Sequence, residues 1–103
     1  MVNRGEVWWA DLEEEGTRPV LVLTRQAAIA VLNKVLVSPA TRTIRSIPTE
    51  VLLDVEDGTP EPCVLSFDNI LTVSKALLTQ RICILGPSRM LEVCRAWRDA
   101  VDC

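Results

Sequence analysis

Apolar and polar positions along the chain keep a short, strand-like rhythm for most of its length and turn helical only near the end. Val7–Leu12 and Pro19–Thr24 are runs rich in β-branched and aromatic residues, separated by the acidic turn Glu13-Glu14-Glu15-Gly16. They predict two strands and a tight connection. Gln26–Leu32 is Ala-rich and predicts one or two helical turns closed by Asn33. Lys34–Ser38 is again strand-like and is expected to stop at Pro39. Pro48–Val55 alternates, with Val51 and Leu53 on one face and Leu52 on the other, the pattern of a half-buried strand. Asp57-Gly58, followed by Pro60 and Pro62, predicts a turn. Cys63–Phe67, Ile70–Val73 and Gln80–Leu85 then read as three more short strands. After Gly86-Pro87 the period changes: Met90, Cys94, Trp97 and Val101, with Leu91 beside them, form one apolar helix face. Pro87 suits the first helical position, and Arg89, Arg95, Arg98 and Asp99 are expected to lie largely off the apolar face.

Six or seven short strands with one short helix and one C-terminal helix predict a mainly β fold, a small closed or partly closed barrel with helices on its ends. Most connections are too short for the crossover of a parallel βαβ unit. The 103 residues fit a single domain, 1–103, and a chain of this length buries enough surface to need no staple. Four cysteines at 63, 83, 94 and 103 contain no Cys-x-x-Cys pair, which argues against a zinc ribbon or a redox motif. Cys83, within the apolar run from Arg81 to Leu85, is expected to be a buried free thiol. The N-terminal segment lacks an apolar signal region and no apolar run approaches 18 residues, so the expectation is a soluble cytoplasmic protein without a membrane partner.

Charge changes the picture once it is located. The net charge of −3 speaks against a nucleic-acid partner, whose usual footprint is basic. The average conceals segregation: residues 1–15 sum to −4, residues 16–49 to +5, and residues 50–68 to −6. The middle stretch holds Arg18, Arg25, Lys34, Arg42 and Arg45 and no acid. Guanidinium forks match phosphate oxygens, so this stretch is a candidate anion surface. The alternative is a solvated face paired with Glu50 and its neighbours. The chain has no histidine, which removes the usual acid/base and nucleophile-activating partner.

Four segments, in order along the chain, resemble the MazF/PemK (Kid-type) family of toxin–antitoxin ribonucleases. They are Arg4-Gly5-Glu6-Val7-Trp8; Gly16-Thr17-Arg18-Pro19, which runs into the strand ending at Thr24; Val37-Ser38-Pro39-Ala40-Thr41; and Val64-Leu65-Ser66-Phe67-Asp68-Asn69-Ile70. The resemblance implies an SH3-like barrel of the CcdB/PemK type, a homodimer and a cognate antitoxin. It also implies cleavage of single-stranded RNA, typically mRNA, without metal or cofactor. In that chemistry the 2′-oxygen attacks the adjacent phosphorus and leaves a 2′,3′-cyclic phosphate and a 5′-hydroxyl, a route that does not demand histidine.

Carried over residue by residue, the resemblance makes Arg18 of the Gly-x-Arg-Pro match the catalytic arginine. Permanently charged, it is suited to clamp the phosphate and the developing negative charge. Thr41, at the end of the Pro-x-Thr match, becomes the hydroxyl that donates to a phosphate oxygen. Asp68 matches an acid used by some members as a general base, and is equally a plausible turn residue. Thr17, Arg25, Ser38, Arg42, Thr43, Arg45, Ser66 and Asn69 are the candidate RNA contacts. The sequence departs from the family twice: only Glu13-Glu14-Glu15-Gly16 stands in the first loop, with no histidine, and Ser66 stands where some relatives carry arginine. A competing reading is a non-catalytic barrel that inhibits a protein target, as CcdB-type toxins do, with Arg18 dispensable.

Overall fold

The computed structural model describes residues 1–102, and Cys103 lies outside the described residues. Seven strands are present: β1 (Glu6–Leu12), β2 (Gly16–Val22), β3 (Lys34–Thr41), β4 (Glu50–Leu53), β5 (Cys63–Ser66), β6 (Leu71–Ser74) and β7 (Leu78–Ile84). Two helices, α1 (Gln26–Ile29) and α2 (Pro87–Val101), and two 3₁₀ turns, Val55–Asp57 and Lys75–Leu77, complete the set. The strands run in the order β4-β5-β3-β2-β1-β7, with β6 also paired to β3, and every pairing is antiparallel.

Strand β3 organises the molecule. Along one edge it pairs with β2, while along the other it pairs first with β6, from Lys34 to Val37, and then with β5, from Ala40 to Thr41. The expected stop at Pro39 is therefore corrected: the strand runs on to Thr41. Pro39, which has no N–H to give, falls in the interval where β6 hands over to β5, so no ladder bond on that edge is lost. The Ser38 hydroxyl bridges the interval by donating to the Ser66 carbonyl at 2.9 Å.

Two apolar cores form on opposite sides of the central strands. One gathers Val7, Leu21, Leu53, Leu65 and Phe67 under α2; the other gathers Ala10, Val20, Val22, Val35 and Val37 with Ile29 of α1. The alternation Val7/Ala10 and Val20/Leu21 along β1 and β2 sends side chains to both. In β4, Val51 and Leu53 are buried and Leu52 is exposed, as the pattern predicted.

The barrel remains open between β4 and β7. The loop after β4 and helix α2 cover that seam. Gly58, at φ +105°, lies against β7 so closely that a Cβ there would stand 2.7 Å from the Cys83 Cβ. Asp54 and Asp57 cap the 3₁₀ turn reciprocally, and Arg89 of α2 reaches both. Helix α2 begins at Pro87, as predicted, but its buried stripe differs from the expected one. Val93 and Ala96 face the sheet, flanked by Met90, Trp97 and Ala100, whereas Leu91, Cys94 and Val101 are exposed. Small residues in the centre let the helix approach, and the pull of Asp57 on Arg89 turns that arginine inward rather than off the face.

Candidate functional site

The site is built at the end of the barrel where β2 begins and β3 ends. Leu12 pairs with Gly16, leaving Glu13-Glu14-Glu15 as the connection, and Gly16 takes the left-handed conformation at φ +77° that closes such hairpins. Arg18 follows two residues later, opposite Ala10 of β1, whose single methyl leaves room for the arginine stem. The β2–β3 register pairs Val20 with Pro39, so continuing it by two residues brings Arg18 level with Thr41.

Arg18, Ala40 and Thr41 form a ridge between two hollows and line both of them. On one side lies a hollow of about 320 Å³ walled by Trp9, Pro19, Pro60, Glu61 and Cys63. On the other lies a more polar hollow of about 550 Å³, with Arg45, Ser66, Asp68 and Asn69 in its lining and Glu15 at its edge. Arg18 is half-buried and has neither a carboxylate nor a hydrogen-bond partner among the described residues. Thr41 Oγ1 accepts from the Thr43 amide at 3.2 Å, which leaves its own proton free to donate outward. Asp68 is exposed, and its Oδ2 accepts from the Thr49 hydroxyl at 2.5 Å while Oδ1 stays open.

The other candidate contacts divide. Thr17 is exposed at the Trp9 hollow, and Arg45 and Asn69 border the polar hollow. Arg42 at the Trp9 hollow is tied to Glu61 at 2.5 Å, and the Arg45 guanidinium stands 3.9 Å from Glu50, whose other oxygen accepts from the Arg45 amide at 2.9 Å. The basic stretch is thus neutralised at two of its five cations, and the remainder, Arg18, Arg25 and Lys34, have no carboxylate partner among the described residues. Ser38 is fully buried with its hydroxyl spent on Ser66, so it supports the ridge from beneath and presents no surface. Ser66 is buried as well, and its Oγ accepts from Asn69 Nδ2 at 2.9 Å, which orients the Asn69 amide. Arg25 stands just before α1, past the opposite end of β2, and borders neither hollow. Thr43 is exposed and contributes its amide to Thr41.

Two residues that invite a chemical role, Glu6 and Cys63, are unsuited to one. Glu6 is 1% exposed and accepts from the Asn3 amide (2.7 Å), Trp8 Nε1 (3.0 Å) and Arg81 Nη1 (3.1 Å). Burial by itself would raise its pKa, but those hydrogen bonds outweigh burial and hold it below the ordinary range. Cys63 walls the Trp9 hollow, but burial pushes its thiol up, so it is poorly suited as a nucleophile. Among the described residues, no three His, Cys, Asp or Glu side chains converge as metal ligands, and no helix is long and apolar enough to cross a membrane.

The family model for PemK-like, MazF-like toxins of type II toxin–antitoxin systems matches residues 3–101. The chain belongs to this family. A "Probable endoribonuclease MazF5" of Mycobacterium tuberculosis is 45% identical over 101 residues, covering 97% of this chain and 93% of that one. A "Probable endoribonuclease MazF2" of the same organism is 40% identical over 103 residues, with 99% and 100% covered. Among solved structures, the Mycobacterium tuberculosis toxin MazF-mt6 superposes with a TM-score of 0.87 at 35% identity, covering 94% of this chain and 96% of the other. A mycobacterial endoribonuclease in complex with its cognate antitoxin superposes at 0.90 with 27% identity, covering 99% and 96%. The expected barrel is therefore the PemK/MazF fold, left open at the β4–β7 seam.

Sequence reasoning passed over Trp9 and the Thr59–Glu61 segment as site residues. The available signal was the register: Trp9 faces Pro19, the neighbour of Arg18, across the β1–β2 hairpin. That pairing becomes legible only when the hairpin is closed at Gly16.

Proposed function

We propose that this PemK/MazF-family chain is a toxin that acts as a sequence-specific endoribonuclease on single-stranded RNA such as mRNA, and is restrained by a cognate antitoxin. The observation that carries this reading is Arg18: a half-buried guanidinium with no partner among the described residues, on a ridge it shares with Thr41, between two hollows large enough for nucleotides. The relatives named as endoribonucleases and the neighbour captured with its antitoxin support it.

In the proposed reaction the scissile phosphate sits on the ridge. Arg18 neutralises its charge, which grows as the phosphorane forms. The Thr41 hydroxyl donates to a non-bridging oxygen. The 2′-oxygen of the nucleotide in the polar hollow attacks phosphorus, its proton passing to the open Oδ1 of Asp68, while Thr49 holds Oδ2 in place. The bond to the 5′-oxygen breaks, that oxygen takes a proton from water, and a 2′,3′-cyclic phosphate and a 5′-hydroxyl result. No step calls on a metal ion or a cofactor. Thr17, Arg45 and Asn69 serve as backbone and base contacts, and a homodimer is the proposed working assembly.

The test is incubation of the purified protein with a long defined RNA in EDTA, followed by mapping of both ends. Cuts at a recurring short sequence with downstream 5′-hydroxyls are expected. Intact RNA would overturn the reading in favour of a barrel that acts on a protein target. Thr41→Ala is expected to slow cleavage by about 100-fold, the lower end for loss of one charge-stabilising donor, at unchanged melting temperature.

A further inference from the structure

The hollow on the Trp9 side of the ridge carries features that phosphate chemistry does not use. Trp9 lies on the same strand face as Val7, whose side chain is fully buried in the core, yet Trp9 sits at the open end of the barrel and belongs to neither apolar core. Its indole N–H has no hydrogen-bond partner among the described residues, whereas that of Trp8 is satisfied by Glu6. Opposite the indole, the Thr59–Glu61 segment is unusually fixed. Thr59 is 4% exposed and directs its hydroxyl at the carbonyls of Asp54 (2.9 Å) and Glu61 (3.0 Å). Prolines at 60 and 62 flank Glu61 and remove backbone freedom on both sides of it. A carboxylate is thereby presented at the rim of an aromatic-walled hollow, beside a ridge suited to phosphate.

We propose that this hollow is a base-reading subsite. Trp9 is the stacking platform for the nucleobase immediately downstream of the cut, and Glu61 selects bases that carry an exocyclic amino group. The proposal rests on the reading of the ridge as the phosphate site. If the attacking nucleotide occupies the Asp68 hollow, the next one falls across the ridge into the Trp9 hollow. A carboxylate only accepts hydrogen bonds, and the Thr59 proton is already committed, so this wall rewards the 4-amino group of cytosine and leaves the 4-oxo group of uracil facing an acceptor. Arg42, paired to Glu61 at 2.5 Å, offsets the charge that would otherwise repel the incoming phosphate chain. Trp9 and Glu61 are here specificity-determining residues rather than catalytic ones.

Two readouts test it. In the first, cleavage is mapped on oligoribonucleotides that differ only in the base after the cut. The unaltered protein is expected to favour cytosine over uracil there by about tenfold, in the range of one good base-edge contact. Glu61→Gln, whose amide can donate as well as accept, is expected to erase that preference while cleavage continues. Trp9→Ala is expected to lose about 10- to 100-fold in kcat/KM, the size of one stacked base, and Trp9→Phe to restore most of it. In the second readout, fully 2′-O-methylated oligocytidylate and oligouridylate, which cannot be cleaved, are titrated while tryptophan fluorescence is followed. Oligocytidylate is expected to quench the more strongly, and Trp9→Phe to remove that quench with Trp8 and Trp97 unchanged. Quenching without cleavage by the unaltered protein would sink the nuclease reading and leave the subsite standing. Cleavage with Trp9→Ala at the unaltered rate, a quench indifferent to Trp9→Phe, or equal use of cytosine and uracil would overturn the subsite.

Discussion

Arg18, on the ridge between the two hollows, and Arg89, on helix α2, are both half-buried guanidiniums, yet the protein surrounds them in opposite ways. Arg89 donates through Nε to both oxygens of Asp57 (3.0 and 3.2 Å) and through Nη1 to both oxygens of Glu92 (3.2 and 3.0 Å), with Asp54 a further 3.8 Å from Nη2. Arg18 has none of this. An arginine whose Nε and Nη1 are both held by carboxylates holds structure together, here by pinning α2 over the open seam of the barrel. An arginine left without a partner on a concave surface has its donors available, and its natural complement is an anion that the chain does not supply. The contrast separates a fastening from a binding group more clearly than burial or charge alone.

Breaking each arginine should therefore produce opposite phenotypes. The largest effect is expected from Arg18→Ala, which should lower RNA cleavage by about 100- to 1000-fold, the scale for removing a principal charge-stabilising donor. Its urea midpoint should stay within error of the unaltered protein. Lysine at the same position keeps the charge but not the fork and should recover only part of the rate. Arg89→Ala should do the reverse. Leaving Asp57 half-buried without its partner should cost about 2 kcal/mol, or roughly 10 °C in melting temperature for a chain of this size. Cleavage per folded molecule should be unchanged at a temperature where the variant is native. Loss of activity without unfolding in the Arg89 variant would erase the distinction.

How far this contrast was visible in the sequence depends on what each residue answers to. The family resemblance of the Gly-x-Arg-Pro segment points to Arg18, and its place in the fold is legible because the hairpin is local: Gly16 closes the turn and the strand follows directly. Pro87 announced the start of α2 for the same reason. The local pattern misplaces Arg89 because its partners Asp54 and Asp57 stand more than thirty residues away in the chain, on the loop that α2 packs against. Pro39 predicts a strand end because a proline does stop a strand in an unbroken ladder, and nothing local reveals that β3 changes partner there. Ser38 carried the motif's polarity but supports the ridge from below, and Arg25 shares the basic stretch but stands past the far end of β2. Charge counted along the chain could not separate Arg42 and Arg45, which meet Glu61 and Glu50, from Arg18, whose guanidinium meets no carboxylate among the described residues.

The structural side of the comparison also has a pH dependence. Burial pushes the Asp57 carboxyl up, but the hydrogen bonds from Arg89 and the Asp54 amide outweigh it and hold Asp57 below its ordinary value of 3.8. Glu6 is likewise held below 4.5. Near and below these values the unfolded chain takes up protons that the folded one refuses, so stability falls as the medium is acidified. The contribution of both groups is complete above about pH 5 and disappears as pH drops through their lowered folded values. Melting temperature measured from pH 7 to pH 3 should fall mainly below pH 5. In Arg89→Ala the acid limb should be shallower, because Asp57 then titrates nearer to its unfolded value. An equal slope in the two proteins would remove Asp57 from the account.

Arg42 supplies the smallest and sharpest comparison, since it combines features of both arginines. It has a carboxylate partner, Glu61 at 2.5 Å, as Arg89 has, but its side chain is 82% exposed beside the Trp9 hollow. Water screens such a pair, so its contribution to folding is small despite the short distance. Arg42→Ala should change stability by no more than about 0.5 kcal/mol. If Arg42 instead meets the RNA backbone in the complex, its removal should lower the slope of log binding constant against log salt by about 0.7, the value for one phosphate contact on a single strand. Titration of a 2′-O-methylated oligonucleotide at several salt concentrations would measure that slope. An unchanged slope with a stability loss comparable to that of Arg89→Ala would place Arg42 with the fastenings and leave Arg18 as the arginine whose donors are available to phosphate.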